Sequence, residues 1–239
     1  MPSPSFWPTT RDELEELQRA LAERSRGEPG WHPPADRPTR VGAVFVAPRR
    51  GGVGLGAAGD PAWVAAVVMV EGRAVDSFVV EGTFDAPYAP GLLALREGRL
   101  LDEAVRRLSE PSDVLLVNAS GRDHPRGAGL ALHLGAARRL PSVGVTDRPL
   151  LGVGGEPGPE RGAAAELWLG SELVAYRLRT LAGARPVAVH AGWRVDAPTA
   201  RAVVLGMATG SRTPEPLREA RRLARTARSA PAGWLDASP

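Results

Sequence analysis

The chain has 239 residues, of which 43% are hydrophobic and 24% charged, with a formal net charge of +3 at pH 7 and no cysteine. This length suits one large α/β domain or two small ones, and the lack of cysteine excludes disulfides, thiolate metal ligands and a catalytic thiol. No apolar run approaches the roughly 18 residues that a membrane helix needs. The amino-terminus lacks the pattern of a signal peptide, so we expect a cytoplasmic protein without membrane attachment.

All 30 basic residues are arginine. Lysine is therefore not available as a general base, a Schiff-base former or a phosphate-binding point charge. A net charge of +3 indicates a nucleic-acid partner only weakly, because dedicated binders concentrate basic residues in a patch.

The first 39 residues predict a helix and a linker. Leucines at spacings of three and four follow a threonine cap in residues 9–26, which is typical of an amphipathic helix. Proline and glycine dominate residues 27–39 and indicate a linker. We therefore predict that residues 1–39 pack on a core domain of residues 40–228, followed by a flexible tail over 229–239.

Three strands in direct succession are predicted next. Residues 41–47, 63–70 and 74–80 are apolar and rich in valine, and only the tripeptide EGR separates the last two. This arrangement indicates an antiparallel meander.

Helices and strands alternate in the rest of the chain. Helices are predicted over residues 98–110, 129–140, 197–208 and 214–229, and strands over 113–117, 142–146, 172–180 and 185–191. The whole order predicts an α/β fold with a mixed sheet, an antiparallel meander followed by parallel strands, flanked by helices.

Candidate acid–base side chains lie near the ends of the predicted elements. They are Glu97, Asp123, His124, Asp147 and His190. Strand ends meet in an open sheet, and we therefore expect Asp147 and His190 to share one crevice with Asn118. The alternatives are that the carboxylates are only solvated charges and that His124 only shapes its turn.

The last predicted helix has one basic side. Arginines occur at positions 218, 221, 222, 225 and 228, and leucine and alanine form the opposite side. Such a face is either solvated or in contact with phosphate or a partner.

Four segments resemble the endonuclease V family, inosine-directed nucleases with a ribonuclease H-like fold. They are APYAPGLLALREG (86–98), VLLVNASGRDHPRGAGLALHLG (114–135), PSVGVTDRPLLG (141–152), and ELVAYRLRT with RPVAVHAGWRVDAPTA (172–200). Their order and spacing fit the family over residues 41–225. The resemblance implies a ribonuclease H-like fold and hydrolysis of a phosphodiester with Mg²⁺ held by acidic groups.

The resemblance also places the family's metal ligands on particular residues of this chain. The Asp of the first strand falls on Phe45, the Asp of the VDGHG pattern falls on Asn118, and only the Glu is kept, as Glu97. A phenyl ring cannot bind a metal, and a neutral amide lacks the charge that Mg²⁺ prefers. We therefore expect no metal centre and no cofactor, with Mg²⁺ needed only if nuclease activity persists.

Three further positions depart from the family pattern. The His of VDGHG falls on Ser120, the Lys of GVAKS falls on Asp147, and the His of GHR falls on Trp193. The segment PYAP, residues 87–90, resembles the family's wedge, which opens the nucleic-acid strand beside the lesion, with Tyr88 as the stacking residue. The alternative is a rigid turn fixed by two prolines.

These observations leave three functions open. The first is a metal-free enzyme that uses the acid–base residues on a small molecule in the old crevice, which Phe45 and Trp193 would make more apolar. The second is a nucleic-acid-binding protein that does not cut, and the third is a residual inosine-directed endonuclease. A partner protein chain is also possible. In each case we expect the binding crevice to include Phe45, Tyr88, Asn118, Ser120, Arg126 and Trp193.

Overall fold

The computed structural model describes residues 6–51 and 56–230, so that most of the predicted tail lies outside the described residues. They form one eight-stranded mixed sheet flanked by helices. The elements in chain order are α1 (Arg11–Gly27), β1 (Val41–Pro48), β2 (Pro61–Val70), β3 (Arg73–Thr83), α2 (Leu93–Arg106), β4 (Val114–Val117), α3 (Leu130–Arg138), β5 (Ser142–Thr146), β6 (Ala164–Leu169), β7 (Glu172–Leu178), β8 (Val187–Ala191), α4 (Ala197–Gly206) and α5 (Glu215–Ser229). In this part of the chain no helix is long and apolar enough to cross a membrane.

The strand order of the sheet is β3-β2-β1-β4-β5-β8-β7-β6. Strands β1, β4 and β5 are parallel, and every other neighbouring pair is antiparallel. The predicted mixed sheet with a meander followed by parallel strands is therefore confirmed. The carboxyl ends of the three parallel strands lie at one edge, which is where ligands bind in open α/β sheets.

The side chains of β1 alternate between two cores, as the pleat of a strand requires. Ala43 and Phe45 belong to the core that the sheet forms with α4 and α5. Val44 belongs to the core that it forms with α1, α2 and α3. The two faces of the sheet are thus covered by different helices, and adjacent residues of β1 have different neighbours.

Two elements differ from the predicted ones. Helix α2 begins at Leu93 and not at residue 98, which places Glu97 in its second turn and not at its start. Gly91, with φ of 75°, ends the preceding turn and lets the helix begin early. Strand β6 was not predicted, because Leu167 is its only fully buried residue and the pattern of an apolar strand is absent.

Candidate functional site

A cavity of about 310 Å³ opens at the carboxyl ends of β4 and β5. Its walls come from α1, from the start of α2 and the segment before it, from the loop after β4, and from the end of β5 and the residues that follow it. They include Gln18, Tyr88, Gly91, Ala94, Asn118, Ser120, His124 and Thr146. We call it the wedge cavity, because the segment PYAP forms one of its walls. The structure thus brings together four of the predicted site residues, Tyr88, Asn118, Ser120 and His124.

The segment that carries Tyr88 is anchored through the carbonyl oxygen of Gly91. This oxygen accepts hydrogen bonds from Arg126 Nη2 at 2.7 Å, His124 Nε2 at 3.2 Å and Gln18 Nε2 at 3.3 Å. Arg126 Nε also donates to Gln18 Oε1 at 2.6 Å, which links α1 to the loop after β4. Tyr88 itself is 42% exposed. A rigid support and an exposed ring are the features that a stacking residue needs.

His124 holds this arrangement in its neutral form. Burial lowers its pKa to about 4, and the neighbouring charge of Arg126 acts in the same direction. Its Nδ1 accepts a hydrogen bond from the Arg126 amide at 3.3 Å, so Nε2 carries the proton that is donated to Gly91. Because both ring nitrogens are engaged, His124 positions the wall of the cavity and has no free nitrogen for proton transfer in this arrangement.

Glu97 is the one carboxylate at a metal position that the resemblance keeps. It lies one helical turn beyond Leu93 and Ala94, which line the wedge cavity, and it is only 6% exposed. Within residues 6–51 and 56–230 it has no hydrogen bond or ion pair. Burial raises its pKa to about 7, although the charge of Arg96 opposes the shift. Both charge states are therefore populated at neutral pH.

The side chains at the other metal positions do not fit Mg²⁺. Phe45 has no donor atom and packs on the face of the sheet opposite α2, so it is not beside Glu97 as expected. Val44, the neighbouring residue on the α2 face, has no donor atom either, and Asn118 offers one neutral oxygen on an exposed side chain. Among the described residues no group of three or more histidine, cysteine, aspartate or glutamate side chains is placed to hold a metal ion. A hard divalent cation favours several charged oxygen ligands, and Glu97 alone does not supply them.

Asp123 and His190 form a buried pair behind the cavity wall. Asp123 accepts backbone hydrogen bonds from Leu150, Leu151 and Gly152, each at 2.7 Å. Its Oδ2 lies 3.4 Å from His190 Nδ1, and both side chains are fully buried. Burial opposes ionisation of Asp123, but the His190 contact and the backbone donors outweigh it and hold its pKa well below the usual range. Through these hydrogen bonds the carboxylate holds the loop after β5 in place.

His190 and Asp147 do not share a crevice with Asn118. Strand β8 is antiparallel to β5, so His190 pairs with Gly144 in the sheet, and its Nε2 lies 2.7 Å from Thr146 Oγ1. Only the threonine of that pair reaches the wedge cavity. Asp147 points elsewhere, with a 73% exposed side chain that pairs with Arg212 at 2.6 Å. The Arg212 guanidinium lowers the pKa of Asp147, which is thus an ordinary surface carboxylate.

Phe45 and Trp193 do not line the wedge cavity either. Phe45 is 9% exposed and packs in the core with α5, where the Arg221 guanidinium lies 5.1 Å from its ring centre. Trp193 is 2% exposed and packs with residues of α1 and α3. The apolar crevice expected from these two rings is therefore absent from the cavity.

Sequence reasoning missed two residues that complete the cavity. Gln18 is 1% exposed although it lies on a surface helix, and Gly91 supplies the carbonyl on which three donors meet. The signal for Gln18 was a polar residue between Leu17 and Leu21 on the apolar side of a predicted helix. The signal for Gly91 was a glycine directly after the PYAP segment.

The mixed sheet, with its parallel centre and a polar cavity at the ends of those strands, defines a ribonuclease H-like α/β protein. The chain belongs to the endonuclease V family, whose profile, described as Endonuclease V, matches residues 51–222.

Individual relatives agree with this assignment. An endonuclease V of Methanopyrus kandleri is 39% identical over 222 residues, which cover 92% of this chain and 90% of that protein. The crystal structure of an endonuclease V from Streptomyces avermitilis superposes with a TM-score of 0.80 at 35% identity, over 92% of this chain and 94% of that one. The endonuclease V of Ciona intestinalis, in complex with a 24mer DNA containing an inosine followed by a ribo-adenosine, gives a TM-score of 0.70 at 20% identity over 90% and 96% of the two chains, which shows the shared fold.

Proposed function

We propose that this endonuclease V-like protein binds nucleic acid at the wedge cavity and does not cut it by the Mg²⁺-dependent reaction. The observation that carries the proposal is the set of side chains at the three metal positions. Phe45 packs on the face opposite α2, Val44 on the α2 face is apolar, Asn118 is neutral, and Glu97 is the one carboxylate kept at these positions. Hydrolysis with Mg²⁺ needs charged oxygen ligands that these residues do not provide.

A second deficit concerns the charge that would assist the reaction. The resemblance implies a lysine at position 147, where this chain has Asp147. That carboxylate is neutralised by Arg212 outside the cavity, and the sequence contains no lysine that could replace the missing one. The residues present therefore provide neither the charged ligands for the metal nor the lysine that would assist the reaction.

The binding half of the proposal rests on Tyr88 and its neighbours. An exposed aromatic ring beside a cavity is the arrangement with which proteins stack on and accept an unpaired base. The side chain of Asn118 lines that cavity and has no hydrogen bond within the described part of the chain. Its amide has both a donor and an acceptor for the edge of a base. Support of the Tyr88 segment by three donors to Gly91 favours stacking, because little ordering is needed on binding.

A metal-free enzyme for a small molecule is the second candidate. The observation in its favour is Glu97, whose pKa of about 7 suits proton transfer at neutral pH. Two other features expected of such an enzyme are absent from the cavity. Phe45 and Trp193 pack outside it and do not make it apolar, and the Asp123 carboxylate is occupied by hydrogen bonds and is not available for proton transfer. A small-molecule ligand of the cavity would compete with oligonucleotides for binding, which distinguishes it from a ligand bound elsewhere.

The proposal is tested with fluorescently labelled strands that contain one inosine, single-stranded or in a duplex. We expect binding, measured by anisotropy at low salt, to be unchanged when EDTA replaces Mg²⁺, because no metal takes part. Binding that requires Mg²⁺ would contradict the proposal, as would the absence of binding in both buffers. The relatives named above are endonuclease V proteins, so the same samples must also be examined for cleaved product.

A further inference from the structure

A second concave surface lies along α5. This groove has a volume of about 1100 Å³. It is bounded by α5, by the turn between β2 and β3, and by Arg50, which lies two residues after β1. We call it the α5 groove. Its charged side chains are Arg50, Arg218, Arg221, Arg222, Arg225, Glu215 and Glu219. Five arginines thus face two glutamates.

Both glutamates are already paired with arginines of the same helix. Arg218 Nη1 lies 2.7 Å from Glu215, and Arg222 Nη2 lies 2.6 Å from Glu219. Arg50, Arg221 and Arg225 have no carboxylate partner in the portion of the chain that the structure describes. Three arginines without an ion pair therefore face one groove, although the nearby Asp147 carboxylate offsets part of the charge of Arg221.

Arg221 has the least satisfied environment of the three. Its Nε is buried and has no hydrogen-bond partner in the described ranges, and its guanidinium lies over the Phe45 ring. Burial lowers its pKa, and the positive charge of Arg225 acts in the same direction. An unpaired buried donor on a cation is unfavourable. An anion in the groove would supply both an acceptor and a compensating charge.

The fold presents these arginines in fixed positions. The opposite side of α5 is buried in the core through Leu217, Ala220 and Ala224. Arg221 and Arg225 are four residues apart, so their side chains lie next to one another along the helix, with about 5–6 Å between Cβ atoms. Neighbouring guanidinium groups on a rigid helix are suited to successive phosphates of one strand.

One end of the α5 groove lies at the sheet edge that carries the wedge cavity, but on the opposite face of the sheet. Arg50 follows the carboxyl end of β1, which is parallel to β4, whose carboxyl end leads into the cavity. Arg228 Nη1 donates to the Pro48 carbonyl at 3.1 Å and holds the carboxyl end of α5 at the same edge. A ligand that contacts both has to pass around this edge of the sheet, which an extended polymer can do.

We infer that the α5 groove is a phosphate-binding surface that contacts the backbone of a nucleic-acid strand through Arg50, Arg221 and Arg225. The choice of ligand rests on the proposed function, whereas the anionic chemistry follows from the unpaired arginines alone. The contact is independent of base sequence, because phosphates carry no sequence information. It supplies affinity, and the wedge cavity supplies the discrimination between bases.

The test compares binding of a labelled single strand without inosine by the protein and three double variants across salt concentrations. Arg221→Gln with Arg225→Gln should weaken binding at least tenfold at low salt. It should also reduce the slope of log K against log salt by about 1.4, because each lost phosphate contact removes about 0.7 for a single strand. Arg221→Lys with Arg225→Lys should restore most of the slope, because the charge is kept.

The matched control is Arg19→Gln with Arg106→Gln, two exposed arginines outside the groove whose loss changes the net charge equally. If the groove variant binds like this control, the inference is overturned. If Tyr88→Ala changes the affinity for an inosine-containing strand while the groove variant binds normally, the proposed function stands and the phosphate-binding role of the groove is refuted. If the groove variant weakens binding while Mg²⁺ produces cleavage, the groove stands and the proposed function fails. A protein that binds no strand overturns both.

Discussion

The guanidinium of Arg221 lies 5.1 Å from the centre of the Phe45 ring. Phe45 faces α5, on the side of the sheet opposite α2 and Glu97, so this pair lies outside the metal crevice that the resemblance implies. The ring of Phe45 supports the guanidinium of Arg221, and this cation belongs to the groove that we infer to bind phosphate.

Phe45→Ala should lower the free energy of unfolding by about 3 kcal/mol, because it opens a cavity in the core beneath α5. Urea unfolding followed by circular dichroism gives this value. The control is Phe78→Ala, since Phe78 also lies beneath an arginine, Arg107, but on an edge strand where it is only partly buried. Equal losses for the two variants would mean that Phe45 is not a core residue.

Glu97→Gln should stabilise the protein at pH 8 and leave its stability unchanged at pH 4. The folded-state pKa of about 7 lies above the ordinary value of 4.5. The unfolded state therefore loses its proton first, and stability falls as the pH rises from about 4.5 to 7. The gain at pH 8 should be about 3 kcal/mol.

Unfolding of wild type and variant at the two pH values measures this difference. Glu103→Gln is the control, because it removes a carboxylate from a half-exposed ion pair on the same helix. A Glu97→Gln variant that is less stable than wild type at pH 8 would mean that the carboxylate has a stabilising partner.

Asp123→Asn should destabilise the protein by about 3 kcal/mol or more, because the amide retains one acceptor for three backbone donors and leaves His190 without its partner. Because the folded-state pKa of Asp123 is lowered, the stability it contributes is present above the unfolded pKa and is lost as the pH falls through the folded one. Thermal and urea unfolding at pH 7 test the size of the effect. Asp147→Asn, at an exposed ion pair, should cost less than about 1 kcal/mol.

Tyr88→Ala should weaken binding of an inosine-containing strand about tenfold or more, since base–aromatic stacking contributes about 1–3 kcal/mol. Tyr88→Phe should bind like wild type, because the ring and not the hydroxyl stacks. Fluorescence anisotropy in EDTA separates this effect from any cleavage. Equal binding by the alanine and phenylalanine variants would leave the PYAP segment as a structural turn.

Much of the fold could be predicted from the sequence, because local patterns determine β1, β4, β5 and the helices between them. The wedge cavity was partly predictable for the same reason, since Asn118 and His124 follow a strand that is apolar throughout. Strand β6 was missed because an edge strand buries too few side chains to show a pattern.

The rest of the site depends on contacts between residues distant in the chain. His190 could not be placed without knowing that β8 runs antiparallel to β5. Alternation along β1 directs Phe45 to α5, a helix more than 160 residues later, and no local pattern identifies that partner. Trp193 packs beneath α1 for a similar reason. Sequence patterns assign residues to strand ends, but the neighbours of a side chain follow from the topology.

The most direct test of the central claim is a single-turnover assay with protein in excess over a labelled, inosine-containing strand in Mg²⁺ or Mn²⁺. Binding and product are recorded on the same sample, so that an uncut strand is known to be bound. We predict a bound and intact strand. Cleavage in Mg²⁺ that is abolished by Glu97→Gln would contradict it and would show that this chain assembles a metal site despite Phe45 and Asn118.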